Sequence, residues 1–126
     1  MDAIVTTPKS EIENARREGE EIGNDPHSNA HWFRVFKFKP KVEPGDKLFF
    51  VESGEITGYG VVFAVDPVDQ FETCDITDRM WEGNWAIRYK DWHWLDPRPK
   101  MRGFQGLRYV ERLPVELKEA LCVEAT

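Results

Sequence analysis

The chain has 126 residues, of which 40% are hydrophobic and 13% aromatic, so its length and composition fit one small domain with a real core. Its net charge of −6 argues against sequence-blind phosphate binding by the whole surface, although a local basic site stays possible. No stretch approaches the roughly 18 apolar residues of a membrane span. The first ten residues lack the apolar region of a signal peptide, and Cys74 and Cys122 are too few for a disulfide framework. We therefore expect a cytoplasmic protein without membrane contact.

The acidic charge lies at the two ends of the chain. Residues 1–29 hold seven acids and three bases, and residues 111–126 hold four acids and two bases. The region between them is balanced. This balance does not exclude a local basic site in the middle of the chain.

The N-terminal region predicts a surface helix. Within residues 9–22, Ser10 and Glu13 have the spacing of a capping box, but few apolar side chains follow them. Segments of this kind bury too little apolar area to be held firmly. We therefore predict an acidic, weakly packed helix or extension over residues 1–28 and a folded domain over residues 29–126.

The folded domain reads as five strands separated by short turns. Alternating or continuous apolar runs, bounded by proline and glycine, predict these strands. They cover residues 31–38, 47–52, 56–65, 84–95 and 106–113. The acidic stretch 66–82 is predicted as a loop, or as a short helix over residues 77–82. An amphipathic helix is predicted over residues 115–123, after Pro114.

These elements predict an α+β fold, namely a small mixed β-barrel with flanking helices. Residues 31–113 are expected to form a closed or nearly closed barrel. Alternation along the second and third strands predicts which side chains point inward. They are Phe49, Val51, Val61, Phe63 and Val65.

Two neighbouring segments resemble the core hairpin of the PUA-like superfamily, which includes the EVE, ASCH, YTH and PUA domains. They are PGDKLFFVES at residues 44–53 and ITGYGVV at residues 56–62. The preceding HWFRV at residues 31–35 is similar to the opening strand of EVE domains. The resemblance covers about residues 31–67 and implies a PUA-like barrel. The early Gly-x-Lys-x-x-Glu-x-Arg pattern of ASCH-type hydrolases is not found in this chain.

The tryptophans are candidate ligand contacts. EVE and YTH domains hold a flipped, modified base in an aromatic pocket, and aromatic faces stack on any base. Four tryptophans fall within fourteen residues and a fifth lies on the first strand. They are Trp81, Trp85, Trp92, Trp94 and Trp32. Core packing is the alternative for each of them.

Two basic clusters could meet phosphate groups. One follows the first strand and consists of Arg34, Lys37, Lys39 and Lys41. The other lies in and after a glycine-containing loop and consists of Arg98, Lys100, Arg102 and Arg108, with Phe104 between them. A solvated face is the alternative for both clusters. Ser53, which ends the hairpin motif, completes the set of candidate contacts.

The sequence holds no zinc-ligand spacing and no nucleophile motif, so we predict neither a metal nor a cofactor. The leading hypothesis is a nucleic-acid-binding module that recognises a modified or flipped base. One alternative is a small hydrolase of modified nucleosides, with Lys37 or Lys47 and Glu52 or Glu72 as the acid/base pair. A protein-interaction domain is the other alternative.

Overall fold

A computed structural model describes residues 1–7, 32–68, 71–73 and 80–125. Within these ranges the chain forms eight strands, a 3-10 turn and one α-helix. The elements are β1 (Ala3–Thr6), β2 (Trp32–Phe36), β3 (Lys47–Glu52), β4 (Glu55–Pro67), β5 (Phe71–Thr73), β6 (Met80–Glu82), β7 (Trp85–Trp94), β8 (Arg108–Tyr109), the 3-10 turn Val110–Arg112 and α1 (Val115–Ala125).

Six of the strands form one mixed sheet in the order β2-β7-β4-β3-β1-β8. The β1–β3 pairing is parallel and the other pairings are antiparallel. β5 and β6 form a separate hairpin. The sheet curls into a half-barrel with β2 and β8 at its edges. The prediction of a small, barrel-like mixed sheet is therefore confirmed as a curled half-barrel.

Both faces of the curled sheet bury apolar side chains. The inner face holds Ala3, Val5, Phe36, Val42, Leu48, Phe50, Val62, Ile87 and Tyr89. The outer face holds Ile4, Phe49, Val51, Ile56, Tyr59, Leu95, Leu113 and Leu121, the last of which comes from α1. Burial on both faces explains why β3 reads as a continuous apolar run rather than as an alternating strand.

Two hydrogen bonds join the β2 side of the half-barrel to the β1–β8 side. Nη2 of Arg34 on β2 donates to the carbonyl oxygen of Thr6 on β1 at 2.5 Å. The backbone N–H of Lys41 donates to the hydroxyl of Tyr109 on β8 at 2.9 Å. The two edges therefore approach each other although no strand pairing joins them in the described part of the chain.

The structure corrects the prediction for the N-terminus. Ala3, Ile4 and Val5 are fully buried, and β1 lies between β3 and β8 in the sheet. The prediction of a weakly packed extension over residues 1–28 is therefore wrong for this strand. A four-residue apolar strand is easily overlooked beside the acidic stretch that follows it. The helix predicted over residues 9–22 lies outside the described residues.

Four of the predicted strands are confirmed as β2, β3, β4 and β7, and the C-terminal helix is confirmed as α1. The last predicted strand shortens to β8, because the chain enters a 3-10 turn at Val110. The short helix predicted over residues 77–82 is wrong at Met80–Glu82, which forms β6.

The predicted inward set is wrong except at Val65, because β3 alternates in the opposite phase and a β-bulge changes the facing of β4 after Val62. Phe49, Val51 and Val61 pack on the outer face beneath α1, whereas Val65 packs on the inner face. The pairing of β4 with β7 shifts between Val62 and Ala64, so Phe63 is the extra residue of a bulge and is 37% exposed. An extra residue in one strand reverses the alternation beyond it.

Candidate functional site

An open groove of about 640 Å³ lies between the loop before β8 and the start of α1. The described residues that line it are Lys100, Met101, Arg102, Leu107, Arg108, Tyr109, Arg112, Leu113, Pro114 and Leu117. Four of these side chains are cationic and none is a carboxylate. The groove therefore combines an apolar floor with positive charge, although the whole protein is acidic.

The loop before β8, which carries Lys100 and Arg102, is irregular, but backbone hydrogen bonds fix it to the sheet. The N–H of Ile56 donates to the carbonyl of Pro99 at 2.8 Å, and the N–H of Met101 donates to the carbonyl of Gly54 at 3.0 Å. Farther along, the N–H of Phe104 donates to the hydroxyl of Thr6 at 3.0 Å. The loop is thus tied to the β3–β4 turn and to β1, which positions its side chains.

Three arginines of this region lie over aromatic rings. The guanidinium of Arg108 is 4.2 Å from the ring centre of Phe104. That of Arg112 is 5.7 Å from the ring centre of Tyr109, and that of Arg98 is 5.6 Å from the ring centre of Trp94. Cation–π contact restrains the guanidinium while its N–H donors stay available at its edge. These arginines are therefore partly ordered before any anion binds.

Trp94 and its neighbours form a rim beside the groove, which we call the Trp94 rim. Trp94 is 64% exposed at the end of β7. Arg98 lies over its ring, and a loose ion pair of 3.8 Å joins Arg98 to Glu55. Glu55 also forms a β-bridge with Lys100, which lines the groove. Ser53 is exposed in the adjacent turn, so the rim and the groove form one continuous surface.

The predicted tryptophan pocket does not form as one unit. Trp85 and Trp94 begin and end the ten-residue strand β7, so they are roughly 30 Å apart. Trp92 and Trp94 do meet, edge to face, at 5.3 Å between ring centres. Trp92 is half-buried against the inner core and contacts Phe50 at 5.2 Å. No tryptophan whose side chain is described lines the groove.

The other predicted contacts divide into two groups. Arg102, Phe104 and Arg108 join Lys100 at the groove, whereas Lys37 is exposed near Trp85 at the opposite end of the sheet. The carbonyl of Lys37 accepts a hydrogen bond from Nδ2 of Asn84 at 3.0 Å. The side chains of Trp32 and Trp81 lie outside the described residues.

Sequence reasoning missed Arg112 as a candidate. The residue lies in the 3-10 turn after β8, where the prediction had placed a continuous strand. The signal was present, because alternation along the predicted strand places residues four apart, such as Arg108 and Arg112, on the same face. Met101 and Leu117, which contribute to the apolar floor, carried no comparable signal.

The acid/base pair of the hydrolase alternative does not assemble on β3. Lys47 and Glu52 are the first and last residues of that strand, which separates them by roughly 16 Å. Lys47 instead lies over the ring of Tyr59 at 5.4 Å. The side chain of Glu72 lies outside the described residues.

Three further observations bear on the function. Among the described residues, no group of three or more His, Cys, Asp or Glu side chains is arranged to hold a metal ion. No helix in the described ranges has the length and apolar character needed to cross a membrane. Comparisons with protein-family models, curated proteins and solved structures found no match for this chain.

Proposed function

We propose that this protein binds single-stranded nucleic acid, with phosphates along the basic groove and an unpaired or modified base on Trp94. The observation that carries the proposal is the set of ring-stacked arginines beside a groove that has four cations and no carboxylate among its described lining residues. Arginines attract phosphates and fix their position, while an exposed indole supplies a stacking face.

The shape of the surface favours a single strand over a duplex. Its cationic residues lie on the loop before β8, on β8 and in the 3-10 turn, and none of them lies on α1. An exposed ring can stack only on a base that is not already stacked and paired within a duplex. The apolar floor, which includes Leu113 and Leu117, suits sugar and base faces better than a fully hydrated backbone.

The resemblance of the β3–β4 hairpin to PUA-like domains agrees with this proposal, since EVE and YTH domains hold a flipped, modified base. In this chain the exposed ring of Trp94 would contact the base, while Trp92 supports it from the inner core. Selectivity for a modified or unpaired base would follow from the lower free energy needed to unstack it.

The test is fluorescence anisotropy of labelled single-stranded DNA and RNA, with and without modified bases, between about 50 and 200 mM salt. Binding is expected to weaken with salt, and Arg102→Ala should lower the slope of log K against log salt by about 0.7, the value for one phosphate contact on a single strand. The matched control is Lys90→Ala, because Lys90 is exposed over Phe63 and away from the groove.

Two results would contradict the proposal. One is the absence of salt-sensitive binding by any oligonucleotide. The other is binding that Arg102→Ala and Lys90→Ala weaken equally, since the groove would then have no special role. Preference for a duplex over a single strand would overturn the stacking role of Trp94.

A further inference from the structure

Arg34 carries a part-buried guanidinium on the inner side of the half-barrel. It lies on β2 with Phe36, whose side chain belongs to the inner core, and alternation places both side chains on that face. Its Nη2 reaches across to the carbonyl oxygen of Thr6 at 2.5 Å. The side chain therefore spans the seam between the edge strand β2 and β1.

The described part of the chain offers this guanidinium few acceptors. An arginine carries five N–H donors, and the carbonyl of Thr6 is the one hydrogen-bond acceptor that the described residues supply. No described carboxylate forms an ion pair with it. Burial lowers the pKa of Arg34 below its usual value, and the hydroxyl of Tyr89 opposes that effect. The part-buried positive charge thus has no negative partner among the described residues.

Removing such a charge from water costs free energy unless an anion binds beside it. A part-buried ion without a partner loses hydration that one neutral carbonyl cannot replace. An oxyanion would bind two N–H groups in parallel and supply the missing charge. Nearby rings lower the local polarity, since Phe50 contacts both Tyr89 and Trp92, at 5.1 and 5.2 Å between ring centres.

The edge of β1 beside Arg34 is only partly paired. β8 pairs only with Ala3 and Ile4, so the outer edge of β1 at Val5 and Thr6 has no strand beside it among the described strands. The carbonyl that holds Arg34 belongs to Thr6 at this edge, and the hydroxyl of the same residue accepts the hydrogen bond from Phe104.

We propose that Arg34 is the recognition residue of a second ligand site, which takes an oxyanion, either a carboxylate or a phosphate, at the seam between β2 and β1. The site is distinct from the basic groove, because Arg34 is not among the described residues that line the groove. The two proposals can therefore fail independently.

Thermal unfolding in sodium phosphate, sodium acetate and sodium chloride of equal ionic strength tests the site. At about ten times its Kd, the correct oxyanion should raise Tm by about 4 °C relative to chloride. The phosphate and acetate arms distinguish the two ligand classes. Arg34→Met should abolish the rise in Tm. Arg34→Lys keeps the positive charge but lacks the two parallel N–H donors of the guanidinium, so it should weaken binding at least about tenfold.

Two controls keep the test decisive. A variant with Arg102, Arg108 and Arg112 all replaced by alanine should keep the full rise in Tm, because it changes only the groove. NMR titration of the wild-type protein with phosphate and acetate follows the Nε–H signal of Arg34 directly, so the test does not require the variants to fold. Equal rises in wild type and Arg34→Met, or no saturable change of the Arg34 signal with either anion, would overturn the proposal.

Discussion

The indole ring of Trp92 packs directly on Gly58. A Cβ atom at Gly58 would lie 2.6 Å from Cζ2 of Trp92 and 2.5 Å from the carbonyl oxygen of His93. Gly60 has the same relationship to the ring of Tyr89. The two glycines of β4 therefore provide the space in which rings of the neighbouring strand β7 lie.

Replacing Gly58 by alanine is expected to lower the free energy of unfolding by about 1–3 kcal/mol, because the added methyl group meets a ring and a backbone carbonyl. Urea denaturation measures the change. Gly103→Ala is the control, since its nearest contact would be the methyl group of Thr6 at 3.1 Å, which has more room to shift. Equal losses in the two variants would contradict this role for Gly58.

Ile4→Ala is expected to destabilise the protein by about 2–5 kcal/mol, because Ile4 is fully buried in the outer-face core. Thermal or urea unfolding measures this loss. Val115 on α1 is 64% exposed, so Val115→Ala should change stability by no more than about 0.5 kcal/mol. A negligible effect of Ile4→Ala would mean that β1 does not contribute to the core.

Trp94 and Trp92 are expected to respond differently to truncation. Trp94→Ala should weaken oligonucleotide binding by about 1–3 kcal/mol with an unchanged salt slope, since a stacking contact is lost and no phosphate contact. Its exposed position predicts little change in Tm. Trp92→Ala should instead lower stability by about 3–5 kcal/mol, because this ring packs on the inner core.

Anisotropy and thermal unfolding of the same two variants separate these effects. A large loss of stability in Trp94→Ala would contradict the assignment of Trp94 to the binding surface. A stable Trp92→Ala with weakened binding would transfer the stacking role to Trp92.

Thr6→Val is expected to loosen the loop before β8, which carries Lys100 and Arg102. The valine keeps the shape of threonine but cannot accept the hydrogen bond from the N–H of Phe104, which is 3.0 Å from the hydroxyl. Amide exchange of Phe104 should become about fivefold faster, corresponding to roughly 1 kcal/mol for one hydrogen bond. Thr6→Ser keeps the hydroxyl and should exchange like wild type. Identical exchange in all three proteins would show that this bond does not hold the loop.

The sequence alone was sufficient to predict the regular strands and the hairpin turn of the fold. The apolar run of β3, the Ser53-Gly54 turn and the aromatic alternation of β2 each carry a local signal, and both turn residues have positive φ, as a tight hairpin requires. The facing of side chains along β4 carried no such signal. It depends on the bulges at Phe63 and opposite Asp91, and bulges are set by packing between strands.

The candidate surface was predicted in part for a similar reason. Lys100, Arg102 and Arg108 are close in sequence, so their meeting at one groove follows from local chain geometry. The separation of Trp85 from Trp94 is also local, because strand length fixes it. The partial burial of Arg34 was not predictable, since it arises from a contact between β2 and Thr6, which are 28 residues apart.

The place of β1 in the sheet has a consequence for the order of assembly during synthesis. Ala3 is made before both of its partners, Leu48 and Tyr109, which follow it by 45 and 106 positions. At about 5–20 residues per second, its second neighbour is completed roughly 5–20 s after the strand itself. Pairings this distant along the chain also form slowly. The hairpin of β3 and β4 is therefore expected to fold first, and β1, although it is made before both of its neighbours, pairs with β8 only later.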